Sequence, residues 1–150
     1  MKEIIEAWQI HNRIHLYLLD AIPEEHLAIK VEKAKAVGDQ FAHVHNVRLM
    51  WIKVAAPDLL ESQTKIEGKI DREGLKQRLT ESSVAIEEIF CRAGSPDGKV
   101  KGFKPHAAAY LGYLVAHESF HRAHAELALR QAGQPLSDKV SYGTWEWGVR

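Results

Sequence analysis

Apolar residues return at three- and four-residue steps over four separate stretches of the chain, the spacing of amphipathic helices and not of strands. In the first, from about Lys2 to Asp20, Ile4, Trp8, His11, His15 and Leu18 share one face. It should stop near Ile22-Pro23, because a residue before proline is pushed out of the helical region. Gly38-Asp39 offers a break and a side-chain cap for a second helix from Phe41 to Ala56, which Pro57 ends. The polar stretch from Pro57 to Gly68 reads as a loop with a short turn of helix at most. Asp71 is placed to cap a third helix in which Leu75, Leu79, Ile86, Ile89 and Phe90 recur at helical spacing as far as Gly94. Turn formers fill Gly94 to Lys99, and Pro105 suits the first turn of a fourth helix that runs to a stop at Gly133. A short aromatic tail follows Pro135.

Four helices with short connections and no alternating strand predict an all-α four-helix bundle, a fold whose facing side chains commonly build metal or ligand sites in the core. The 150 residues suit one domain spanning 1–150. With 45% hydrophobic and 27% charged residues, the composition excludes disordered and fibrous chains. Twenty basic residues balance twenty acidic ones, which leaves no bulk positive field for a phosphate backbone and argues against nucleic acid as a partner. Lys99, Lys101 and Lys104 read as a solvated loop. The first residues, MKEIIEAW, lack the pattern of a secretory signal. The longest nearly apolar stretch, Ala107 to Ala116, falls well short of the ~20 residues a membrane helix needs, so no membrane partner is expected. A single cysteine, Cys91, excludes an intramolecular disulfide framework and suits a reducing cytoplasm.

What stands out is the nine histidines, since imidazole is both a near-neutral titrating group and the commonest metal ligand. His117 and His121 lie four apart on the fourth helix, one turn from each other on one face, and together form a two-ligand claw. Tyr110 and His124 fall on roughly the same face, as substrate contacts or as core residues with satisfied polar tips. Chance alone yields about half of one four-spaced pair in such a chain, so spacing by itself is weak evidence. The second pair, His11 and His15, reads better as interfacial rings packed with their polar tips satisfied by neighbours, because no third ligand is implied within the first helix.

His117-Glu118-Ser119-Phe120-His121 matches HExxH, in which two histidines bind zinc and the glutamate activates water. The surrounding residues supply no peptidase signature, and a helical chain offers no sheet edge to grip a peptide. Glu118 is the catalytic candidate as a base. Its direction differs from that of His117 by about 100 degrees, and its plainer reading is a solvated acid on the helix surface. Arg122 is an anchor for an anion or one half of an inter-helix salt bridge. A third ligand has to come from elsewhere, and the second helix holds His43 and His45. Two apart, they face opposite ways, and both faces carry apolar residues, so periodicity does not choose between them.

Several stretches resemble the DinB/YfiT-like superfamily of small metal-binding four-helix proteins. Leu18 to Glu25 looks like the end of its first helix and the following loop, and Phe41-Ala42-His43 with Trp51 resembles its helix-two histidine segment. Its fourth-helix pattern is close to His-x-x-His-His-Arg-Gly-Gln, and His117 to Arg122 falls onto it. Phe120 replaces the middle histidine, and Ala123-His124 replaces Gly-Gln. The aromatic ending from Tyr142 through Trp145 to Trp147 is also similar. The resemblance implies that His43, His117 and His121 hold a divalent metal, most often zinc or nickel, in a cleft of a frequently homodimeric protein. Three neutral imidazoles leave a coordination position for water or substrate. Some relatives are thiol-dependent S-transferases or isomerases. The expected function is therefore a metal-dependent enzyme acting on a small molecule with a low-molecular-weight thiol. A hydrolase using activated water and a non-catalytic, stress-associated metal-binding protein are the alternatives.

Overall fold

The computed structural model describes residues 1–150 and contains helices and connecting turns but no strand. The helices are α1 (Lys2–Ala21), α2 (Val37–Ala55), α3 (Arg72–Ala93), α4 (Ala107–Gln131) and the short α5 (Asp138–Gly143). Single 3₁₀ turns lie at Glu24–Ala28, Pro57–Ser62 and Trp147–Val149. In the bundle made by the four long helices, α1 and α2 each pack against both α3 and α4. No helix is long and apolar enough to cross a membrane.

Most helix ends follow local chemistry. α1 stops where Ile22 turns extended, with φ −91° and ψ 119°, ahead of Pro23. The Asp71 carboxylate accepts a 2.7 Å hydrogen bond from the Gly74 amide and so caps α3, while Gly94 closes the other end at φ +74°, a left-handed conformation that favours glycine. The tail is more than an extended ending, because Ser137 caps α5 through the Val140 amide.

Two expected starts are displaced. α2 begins at Val37, so Gly38 and Asp39 lie inside its first turn and do not form a break before it. Glycine is used there for closeness, since a Cβ on Gly38 would approach the Leu27 carbonyl oxygen to 3.3 Å. Pro105 precedes α4, whose cap is His106, with Nδ1 accepting from the Ala109 amide at 3.2 Å. The cap chemistry, not the fixed proline φ, sets that boundary.

Two apolar clusters fill the bundle, one including Leu18, Phe41, Val44, Leu79, Ala125 and Leu129, the other Trp8, Leu49, Ile52, Ile86, Phe90 and Leu114. Between them every long helix contributes buried polar residues: His11, Asn12 and His15 from α1, Arg48 from α2, Ser82 and Ser83 from α3, Glu118 and Arg122 from α4. Such a layer is stable only if its members satisfy one another, because an unpaired polar group in a low dielectric is costly. The apolar layers hold it in place. Trp8, fully buried, donates its indole N–H to the Ser83 carbonyl at 3.0 Å, joining α1 to α3 beside the polar layer.

Candidate metal centre

His43 projects from α2 and His117 and His121 from α4, two neighbouring helices. One ring nitrogen from each of the three lies within 4.8 Å of the others. The ring centroids are 4.4 Å apart for His43 and His121, 4.7 Å for His117 and His121, and 5.6 Å for His43 and His117. His43 and His117 are half-buried and His121 is buried, so the group sits at the rim of the core with solvent on one side.

The surroundings orient the rings. His121 donates from Nδ1 to Gln40 Oε1 at 2.7 Å, which leaves its Nε2 lone pair free. His117 Nδ1 is buried with no hydrogen-bond partner, an orphaned nitrogen beside two further imidazoles that fits a group needing a cation. Tyr113 stacks on His117 with 12° between the planes, and Phe120 meets His121 edge-on. Burial lowers the pKa of His43, and the charge of Lys35 adds to this. Burial followed by the neighbouring His43 and His117 brings His121 down to about 4. Both rings are therefore neutral donors at pH 7, the form in which imidazole ligates zinc, nickel, copper or iron.

His45, the alternative on α2, is buried elsewhere. Its Nε2 donates to the Thr64 carbonyl at 2.9 Å, and beside it Asn46 exchanges two 3.0 Å hydrogen bonds with the Ile66 backbone. This pair pins the segment after the Pro57–Ser62 turn to α2, which explains how a polar stretch stays ordered without being helical.

A second group lies in the polar layer. His11 and His15 place Nε2 at 2.9 and 2.8 Å from Glu118 Oε2, and the three ligand atoms also fall within 4.8 Å of one another. The donors are compatible with a metal ion. The group is nevertheless already charge-paired: Arg48 grips Glu118 with both arms, Nε to Oε1 at 2.8 Å and Nη2 to Oε2 at 2.7 Å. Arg48 Nη1 goes on to Asn12 Oδ1 and the Leu79 carbonyl, both at 2.9 Å. Arg122 Nη1 stands 3.2 Å from His15 Nε2, and its Nη2 donates to Ser119 Oγ at 2.9 Å.

Glu118 is thus not the solvated surface acid its sequence position suggests. The rotation away from His117 points it at the bundle axis, and it is 1% exposed. Burial alone pushes its carboxyl up, but the charge and hydrogen bonds of Arg48, with those of His11 and His15, outweigh this and hold it well below the usual range. Such a carboxylate is a poor general base, since its lone pairs are taken and its proton affinity is low.

The other candidates also find definite places. Tyr110 is a core residue among Trp51, Phe90 and Phe103, with its hydroxyl unpartnered. Arg122 reaches the α1 histidines and Ser119 and does not make the inter-helix salt bridge. His124 is half-exposed, with Nδ1 donating to the Phe120 carbonyl at 2.9 Å. His11 and His15 are packed rings with polar tips satisfied by neighbours, fully buried in the bundle, except that His15 Nδ1 has no partner. Gln40 and Arg48 were not singled out from the sequence. Arg48 leaves a signal there, as a lone charge in the apolar series Val44, Arg48, Ile52 on one face of α2.

No curated protein matches the sequence. A family model described as the DinB family matches residues 1–145, and with that match covering nearly all of its 150 residues the chain belongs to the DinB family.

Proposed function

We propose that the protein holds a divalent metal ion, zinc or nickel, on His43, His117 and His121 and works as a thiol S-transferase or isomerase-like enzyme on a small molecule. The observation that carries this reading is the convergence of those three imidazoles from two helices to within 4.8 Å, with no charged group hydrogen-bonded to any of them. The inner His11, His15 and Glu118 group offers similar donors, but a divalent ion there would add two positive charges beside two guanidiniums in a buried layer.

When bound, the ion would act as a Lewis acid and favour the thiolate form of a low-molecular-weight thiol, the nucleophile of such a reaction. The chain supplies the rest. His43, His117 and His121 would hold the ion and leave part of its coordination sphere for the thiol. Tyr113 and Phe120 flank the rings, and Lys35 adds positive potential that suits an anionic thiol or substrate. Glu118 takes no proton in this scheme, which disfavours the hydrolytic alternative.

Because the ligands join α2 to α4, an ion also ties the bundle together, and this supports the non-catalytic reading in which metal serves stability. The two separate on turnover. The native protein, assayed with thiols and electrophiles with and without metal, should show metal-dependent product formation that is lost in His117→Ala. Bound metal with no turnover across a broad thiol panel would leave the structural role. The half-exposed to exposed Phe120, Leu127, Tyr142 and Trp145 support a homodimer, which a molar mass near twice 17.0 kDa in solution would verify.

A further inference from the structure

Gln40 is 5% exposed, and its side-chain oxygen accepts the Nδ1–H of His121 at 2.7 Å. It stands three residues before His43 on α2, so one face of that helix carries both a ring of the histidine group and the acceptor that turns a ring projecting from α4. A neutral imidazole has one donor and one acceptor nitrogen. With Nδ1–H engaged by Gln40, Nε2 becomes the lone-pair nitrogen.

The two α4 rings differ in this respect. His117 Nδ1 is buried without a partner, whereas His121 is held by a hydrogen bond across the helix interface. From this contrast we infer that Gln40 is a positioning residue of the metal centre: it selects the tautomer of His121 and holds its Nε2 toward the point shared with His43 and His117. This rests on the metal reading given above. Partners of this kind, on the far nitrogen of a ligating histidine, are commonly responsible for ten- to a hundredfold in metal affinity.

The test is zinc affinity, measured by chelator competition on the full chain, for the native protein, Gln40→Leu and Gln40→Glu, with thermal unfolding of each metal-free protein alongside. Gln40→Leu removes the acceptor at similar size and should weaken zinc by about ten- to a hundredfold. Gln40→Glu keeps the acceptor, makes it a stronger one, and should bind zinc at least as tightly as the native protein. The cobalt-substituted proteins give a second readout, in which the visible spectrum of Gln40→Leu should change and that of Gln40→Glu should stay close to native. Native-like zinc affinity and cobalt spectrum in Gln40→Leu would overturn the inference while leaving the metal centre intact. Equal weakening in both variants would reduce Gln40 to packing. A native protein that binds no zinc would remove the metal reading itself, a different failure.

Discussion

Two groups of histidines, each with a four-residue pair on one helix and a third donor from another, meet different fates a few residues apart in the same bundle. His43 and His121 are neutral rings at the rim beside the orphaned nitrogen of His117, and no charged group is hydrogen-bonded to any of the three. His11, His15 and Glu118 are sealed in the polar layer, where Arg48 already occupies both oxygens of the carboxylate and Arg122 faces the rings. Spacing brings donors together, but the charges already present decide whether a cation is still needed. The rim group is open to solvent with free imidazole lone pairs and no ion pair of its own; the inner one has its carboxylate already paired from within the chain.

The largest expected effect comes from breaking the inner group. Arg48→Met strands the Glu118 carboxylate in the core and should cost about 3–5 kcal/mol in urea unfolding, whereas pairing it with Glu118→Leu should recover most of that loss. A double variant as unstable as the single one would show that the ion pair is not the source of the cost.

Added metal sharpens the contrast from the other side. Zinc at a hundred times its dissociation constant should stabilise the native protein by about 2.7 kcal/mol, and that gain should vanish in His117→Ala but survive in His15→Phe. Differential calorimetry with zinc and with chelator measures it.

Acidity should act through the inner histidines. Burial lowers both, most strongly His15, so the folded chain keeps them neutral while the unfolded chain takes up protons below its ordinary value of 6.5. Their contribution is therefore present above that pH and lost as the pH falls through the range below it. Glu118, also lowered, adds a further loss once the pH drops under 4.5, the ordinary carboxyl value. The urea midpoint of the metal-free protein should accordingly be lower at pH 5.5 than at pH 7.5; an unchanged midpoint would mean that these rings are not held neutral.

The smallest effect is at Tyr110. Its hydroxyl is buried without a partner, so Tyr110→Phe should be neutral or stabilising by about 1 kcal/mol and leave metal content unchanged. A marked loss of metal would return this residue to the site.

Much of the architecture was legible in one dimension because its causes are local. The α3 cap at Asp71, its stop at Gly94 and the end of α1 before Pro23 depend on neighbours in sequence, and periodicity finds the four long helices. The start of α2 was not legible, since Gly38 answers to the Leu27 carbonyl from the preceding turn. Periodicity also left His43 and His45 undivided. Family resemblance favoured His43, which lies beside His117 and His121, while the Thr64 carbonyl engages His45. Glu118 was misplaced by the general rule that an unmatched acid faces water. Its partners lie on α1 and α2, 70 to 107 residues away in the chain, and no helical pattern connects them.

Binding of a metal ion by His43, His117 and His121 is best tested by the metal content of untagged protein purified without added metal, set beside variants of both groups. Elemental analysis should find about one zinc or nickel per native chain. It should also find about one in those of the His11→Ala and His15→Ala chains that fold, and almost none in His43→Ala, His117→Ala and His121→Ala. Full occupancy in these last three, or its loss only on changing the inner group, would contradict the assignment.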